Sequence, residues 1–178
     1  MMAYEWDNEA KPDILCVGKA ISGGFIPVSG AFCNDNIMMN IKPGDHGSTF
    51  GGNPLAMAVA KVAIETLIGE GMIENAHKMG NLIGDELSSI QSPLIKETRG
   101  RGLLRAIELV HDAHVDGNDL VDSLLSLGLI TRSAHKYTVR VAPALVITEK
   151  QVHESVKIFK EGLASIEKLN NERSAGKK

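Results

Sequence analysis

The sequence is poor in several things, and each shortage excludes a class of protein. Cys16 and Cys33 are the only cysteines among 178 residues, too few for the disulfide framework of a small secreted domain. Two thiols set in apolar runs read instead as reduced core residues of an intracellular protein, with a disulfide between them as the alternative. The net charge is only −3, so neither nucleic acid nor a charged membrane surface is implied as a partner. No apolar stretch approaches the ~20 residues of a membrane-spanning helix. The opening Met1-Met2-Ala3-Tyr4-Glu5-Trp6-Asp7 is too acidic and too short of apolar residues to read as a secretory leader. Metal signatures are thin as well. His111-x-x-His114 is too sparse for a zinc site. The stretch from Asp112 imitates a calcium loop at Asp112, Asp116 and Gly117 but lacks the third-position acid and the twelfth-position glutamate.

What is present is ordinary soluble material, 43 % hydrophobic and 23 % charged, long enough for one domain or two small ones. Residues 12–18 read as a short buried strand, and Val28 to Cys33 as a second one after the turn Ser22-Gly23-Gly24. Residues 34–52, rich in Asn, Asp, Gly, Pro and Ser, read as a long loop, and a structureless stretch of that length is usually functional. Asn53-Pro54 is a helix start, an N-cap followed by proline at the first helical position. Leu55, Ala58, Val59, Val62, Ala63 and Leu67 then follow at helical spacing, and Ile73, Ala76, Met79, Leu82, Ile83 and Leu87 mark a second helix. Both stripes are expected to face the core. Ser92-Pro93 closes that helix and opens a smaller α/β unit. Strands are expected at Leu103 to Val110, Leu129 to Arg132 and Thr138 to Val141, and a helix from Leu120 to Leu127. Thr148-Glu149-Lys150-Gln151 is a capping-box pattern, and Val152, Val156, Phe159 and Leu163 are the buried face of the helix it opens. Asn170 to Lys178 is polar and is expected to fray.

Three places carry possible chemistry. Lys19 stands just past the apolar run Asp13 to Val17, at the edge of a glycine-rich turn. A lysine held at such a junction can serve Schiff-base chemistry, because desolvation frees its neutral amine to attack a carbonyl; taken alone, a strand-end lysine is more often a solvated charge. Ser48 and Thr49 lie in Gly47-Ser48-Thr49-Phe50-Gly51-Gly52. Hydroxyls and free backbone N–H groups there suit a phosphate, with a helix N-terminus following, and suit simple local Ser/Thr turns equally well. Arg140 sits in the β-like run Tyr137 to Val141, either as an exposed strand arginine or as a fork for a carboxylate. His46, in the loop, is expected to make a structural hydrogen bond.

Longer patterns go further. Gly18-Lys19-Ala20-Ile21-Ser22-Gly23-Gly24 with Pro27-Val28-Ser29, then Ile41-Lys42-Pro43-Gly44-Asp45-His46-Gly47-Ser48-Thr49-Phe50-Gly51-Gly52-Asn53-Pro54-Leu55, resemble the class-III aminotransferases, which use pyridoxal 5'-phosphate. Arg99-Gly100-Arg101-Gly102-Leu103-Leu104 and Val139-Arg140-Val141-Ala142-Pro143-Ala144-Leu145-Val146-Ile147 extend the resemblance over nearly the whole chain. It implies an α/β fold, the C-terminal part of a PLP-dependent transferase of fold type I. Residues 1–90 would be the end of the large domain with the interdomain helices, 91–170 the small domain, and 171–178 a disordered tail. Members of the family are more than twice as long, so the chain is expected to be the C-terminal portion of a complete enzyme.

The resemblance also implies roles. Lys19 would be the covalent anchor of the cofactor and the base that moves a proton. Ser48 and Thr49 would bind the cofactor phosphate of the other subunit in a homodimer, and Arg140 would grip the carboxylate of the oxo-acid substrate. The resemblance is nearest to the members that move the δ-amino group of ornithine to 2-oxoglutarate, in proline biosynthesis and arginine catabolism. Acetylornithine- and 4-aminobutyrate-converting members are the alternatives within the family, and an inactive fragment or interaction module the alternative outside it. Relatives reside in the mitochondrial matrix or the cytoplasm. The carboxylate for the ring nitrogen, the stacking aromatic and most of the phosphate cup would come from upstream of Lys19. Asp7, Glu9 and Asp13 do not sit in the family's cofactor-aspartate motif, so this stretch alone is expected not to complete the site.

Overall fold

The computed structural model describes residues 2–6 and 10–176; Asp7, Glu9 and the last two residues of the tail lie outside them. Packing divides the chain into two compact units, Met1–Glu70 and Gly71–Lys178.

In the first unit β1 (Ile14–Val17) pairs antiparallel with β2 (Gly30–Cys33), in the register Ile14 to Cys33 and Val17 to Gly30. The pair is not buried. Ile14 and Phe32 are exposed, Cys16 is exposed, and Cys33 is half-buried, which corrects the expectations of a buried strand over residues 12–18 and of two core thiols. A two-stranded ribbon has two faces and too little material to cover both. A single turn of 3-10 helix, Lys19–Ser22, follows β1. The loop between residues 34 and 52 contains one helical turn, α1 (Asp35–Met38), because the Asn34 side chain accepts from the Ile37 N–H and caps it. α2 (Pro54–Gly69) starts where the sequence places it, with Asn53 Oδ1 accepting from the Ala56 N–H at 2.9 Å. Its buried face matches the expected one only in part, Val59, Ala63 and Leu67 being half-buried. Ala56 and Ala60 are buried, while Leu55 and Val62 are about 60 % exposed. The reason is the partner: α2 packs on the Lys19–Ser22 turn, and only a small-residue face allows that approach. A Cβ on Gly23 would already stand 3.2 Å from the Ala63 Cβ.

The second unit puts helices on one face of a four-stranded antiparallel sheet. α3 (Met72–Ser88) leads to β3 (Ile95–Arg101) and β4 (Leu104–Leu109). α4 (Gly117–Ser126) follows, then β5 (Ser133–His135), β6 (Thr138–Val141) and α5 (Glu149–Ala175), with strand order β3-β4-β6-β5. Alternation turns Ile107 and Leu109 of β4 and Val139 and Val141 of β6 toward the helices. There they meet Met79, Ile83 and Leu87 of α3, Leu120 and Leu124 of α4, and Val152, Val156, Phe159 and Leu163 of α5. Thr148 caps α5 in a reciprocal box with Gln151. The strand expected over 129–132 is found directly after those residues, at β5, and β3 is an element the sequence reading lacks. α5 also runs on to Ala175, through residues expected to fray. Arg173 donates two hydrogen bonds to Asp119 (2.8 and 2.9 Å) and one to the His114 carbonyl, and Asn170 accepts from the His114 N–H. Those bonds fasten the last turns to the start of α4.

Candidate active site

Lys19 is built into an unusual backbone position. Its φ is +56°, and it is the one non-glycine residue with positive φ among the described residues. That conformation crowds Cβ against the following carbonyl and costs on the order of 1–2 kcal/mol. The surrounding turn holds it there. The Ser22 hydroxyl, buried, donates to the Lys19 carbonyl at 3.1 Å and accepts from the Gly24 N–H at 3.2 Å, while Gly23 and Gly24 take left-handed φ of 60° and 81°. The lysine side chain itself is exposed. It lines a hollow of about 300 Å³ with Pro27, Val28 and Ser29. A strained residue kept in place by its neighbours, presenting an amine beside a hollow, is the arrangement from which function is inferred.

Ser48 and Thr49 are exposed, and neither lines the hollow beside Lys19. Ser48 Oγ accepts from the Gly51 N–H at 2.9 Å, a local turn of the kind such a loop favours. Its hydroxyl hydrogen is left to donate to an anion. His46 is exposed and makes none of the hydrogen bonds found among the described residues, so the structural bond expected of it does not form there.

Arg140 belongs to the second unit. It lies on β6 between Val139 and Val141, which are buried against the helices, so it is carried on the opposite face of the sheet. The residue also borders a hollow of about 400 Å³, but Ile83 and Phe159 of the buried helices wall that hollow, on the face the Arg140 side chain turns away from. The strand ladder fixes it from both sides. Across β4 its partner is Ala106; on the other side its N–H donates to the Arg132 carbonyl at 3.1 Å and its carbonyl accepts from the Thr131 hydroxyl.

One feature of this face escaped the sequence reading. Glu108, on β4, accepts from Thr138 Oγ1 at 2.6 Å, from both terminal nitrogens of Arg99 at 3.2 Å, and lies 2.8 Å from His111 Nε2. The His111 ring stacks on Tyr137. The Thr138 hydroxyl first, then His111 and Arg99, lower the Glu108 carboxyl from its ordinary 4.5 to about 2, against a desolvation cost. A depressed carboxyl contributes stability above its unfolded pKa and loses it as pH falls through the folded one. The second unit should therefore lose at most about 3 kcal/mol between pH 4.5 and 2 from this group, less to the extent that half-exposed Arg99 is screened. Glu108→Gln should flatten that acid limb in unfolding measured against pH; an acid limb identical to that of the unmodified protein would show the network is not the cause.

Comparison with known proteins bears on the family of the chain. The sequence profile of the family described as aminotransferase class-III matches residues 1–163. The mitochondrial ornithine aminotransferase of Drosophila melanogaster is 43 % identical over 166 residues, covering 93 % of this chain and 38 % of that protein. Among solved structures, an acetylornithine aminotransferase from Elizabethkingia anophelis superposes with a TM-score of 0.82 at 44 % identity, over 88 % of this chain and 42 % of that one. An ornithine aminotransferase from Toxoplasma gondii, with partial occupancy of PLP at its active site, superposes with a TM-score of 0.85 at 38 % identity, over 92 % and 39 %. The chain thus spans about two fifths of the length of the relatives it matches. No helix among the described residues is long and apolar enough to cross a membrane.

Proposed function

The chain belongs to the class-III aminotransferase family, and from that premise we propose that it is the C-terminal part of an ornithine aminotransferase. The complete enzyme would transfer the δ-amino group of ornithine to 2-oxoglutarate, giving glutamate 5-semialdehyde and glutamate. The observation that carries this reading is Lys19: an exposed amine on a strained backbone, beside a hollow, inside the Gly-Lys-Ala segment.

The residues present fit an aldehyde-bearing phosphate cofactor. Lys19 Nζ has no hydrogen-bond or ion-pair partner among the described residues, so it is available as the covalent anchor. Ser48 and Thr49 offer exposed hydroxyls in a glycine-rich loop beside the start of α2, as phosphate donors require. Pyridoxal phosphate, when bound, supplies an electron sink for the carbon bearing the transferred amine. The chain's own residues supply the remainder. Lys19 Nζ holds and moves the proton, and the Ser22-clamped turn fixes the backbone from which that side chain extends. Arg140, pinned in its strand, offers two parallel N–H donors to a substrate carboxylate. Ser48 and Thr49 would act across a homodimer, on the phosphate bound by the partner subunit. The compartment would be the mitochondrial matrix or the cytoplasm.

The likeness to the Elizabethkingia enzyme favours a second reading, an acetylornithine aminotransferase. The two part in an assay of the complete enzyme with each amine donor and 2-oxoglutarate. The ornithine reading expects kcat/KM for ornithine to exceed that for N-acetylornithine by at least about tenfold; the opposite order would replace it with the second reading, and activity toward neither donor would reject both.

A further inference from the structure

The sheet face that carries Arg140 treats its arginines unequally. Arg99, Ala106 and Arg140 lie in one row across β3, β4 and β6. One step back from the Ser133 to Val139 pair, Arg132 comes opposite Arg140, with the Arg140 N–H bonded to its carbonyl. Arg99, at one end of the row, is neutralised by Glu97 at 2.7 Å and Glu108 at 3.2 Å. Arg132 and Arg140, at the other end, are both exposed, and among the described residues neither has an ion-pair partner. Like charges directly opposite on neighbouring strands repel. Residues opposite one another in a ladder have Cβ atoms roughly 5 Å apart, Arg132 stands one step beyond the paired Ser133, and Arg140 has only the small Ala106 on its other flank. Two guanidiniums fixed in this way without a counter-ion make a site for an anion that both can reach.

We propose that Arg132 and Arg140 form a paired clamp on one carboxylate of a dicarboxylate substrate, Arg132 being the specificity-determining member that the sequence pattern does not reveal. This rests on the reading of Arg140 as the substrate's carboxylate holder and adds a second guanidinium to it. Two guanidiniums on one carboxylate bind it more tightly than either alone, through charge-assisted hydrogen bonds from two directions. A protein carboxylate has the same chemistry, and the test separates the two sources.

The test uses the complete enzyme and glutarate as the probe, with binding measured by titration calorimetry and KM measured for 2-oxoglutarate. Arg132→Gln should weaken glutarate binding by about tenfold and raise KM similarly with little change in kcat, as loss of one charge-assisted contact predicts. Arg132→Lys should recover much of the loss, and Lys150→Gln, the same charge change on an exposed turn of α5, should leave affinity alone. Unchanged glutarate affinity in Arg132→Gln overturns the clamp. If that variant also melts at a different temperature, a protein carboxylate is the partner instead of substrate. If Arg140→Gln too leaves glutarate binding unchanged, the failure lies in the underlying reading of Arg140; if Arg140→Gln weakens binding and Arg132→Gln does not, only the clamp fails.

Discussion

Lys19→Ala is expected to lower transaminase turnover of the complete enzyme by at least ~10³-fold, the range set by losing a positioned proton carrier together with the covalent anchor. It should also remove the visible absorbance of lysine-bound cofactor, and the phosphate contacts proposed for Ser48 and Thr49 should still let some cofactor bind. The backbone adds a second, independent expectation. Lys19 keeps φ = +56°, a conformation that alanine finds no easier than lysine but that glycine adopts freely. Lys19→Gly should therefore be as inactive as Lys19→Ala and yet more stable by about 1 kcal/mol, the relief of left-handed strain. Inactivity without that stability difference would mean that the turn has relaxed and the strain is not real. Normal turnover in either variant would remove Lys19 from the mechanism.

The second large effect is on folding. Gly80, in the middle of α3, lies against the β3–β4 turn so closely that an added Cβ would stand 2.2 Å from the Gly102 carbonyl carbon and 2.4 Å from its Cα. Those atoms are backbone and cannot swing aside as a side-chain end could. Gly80→Ala should therefore push α3 off the sheet, although alanine is the better helix former by about 1 kcal/mol. The net cost is expected to exceed about 3 kcal/mol, a fall in Tm of roughly 12–24 °C for a unit of this size. Gly69→Ala is the matched control: it ends α2, and nothing lies within 4 Å of the added Cβ. It should be neutral or slightly stabilising. Equal Tm values for the two variants, read by thermal unfolding, would contradict the close approach.

The sequence made some of this legible and hid the rest for physical reasons. Caps were readable because their chemistry is local: Asn53 and Thr148 close the first turns of α2 and α5 with their own side chains. The α5 stripe was readable because a helix against a thick core buries the large residues, Phe159 and Leu163 among them. The α2 stripe was right at Val59, Ala63 and Leu67 and misled at Leu55 and Val62, because its partner is a tight turn that selects alanines. β3 was hidden because its inward positions are Thr98 and Gly100, and its other face carries Glu97, Arg99 and Arg101; no apolar alternation marks it. The helical end of α5 depends on Arg173 meeting Asp119, a contact 54 residues apart in sequence. Lys19, Ser48, Thr49 and Arg140 were singled out by motif. The left-handed backbone at Lys19 and the pairing of Arg132 with Arg140 are properties of geometry and register, which residue order does not show.

The most direct test of the central claim is borohydride reduction of the complete enzyme incubated with pyridoxal phosphate, followed by peptide mass mapping. The account predicts one reduced pyridoxyl group, on the peptide containing Lys19 and on its Nζ. A label on any other lysine, or none where Lys19 is recovered unmodified, would contradict it.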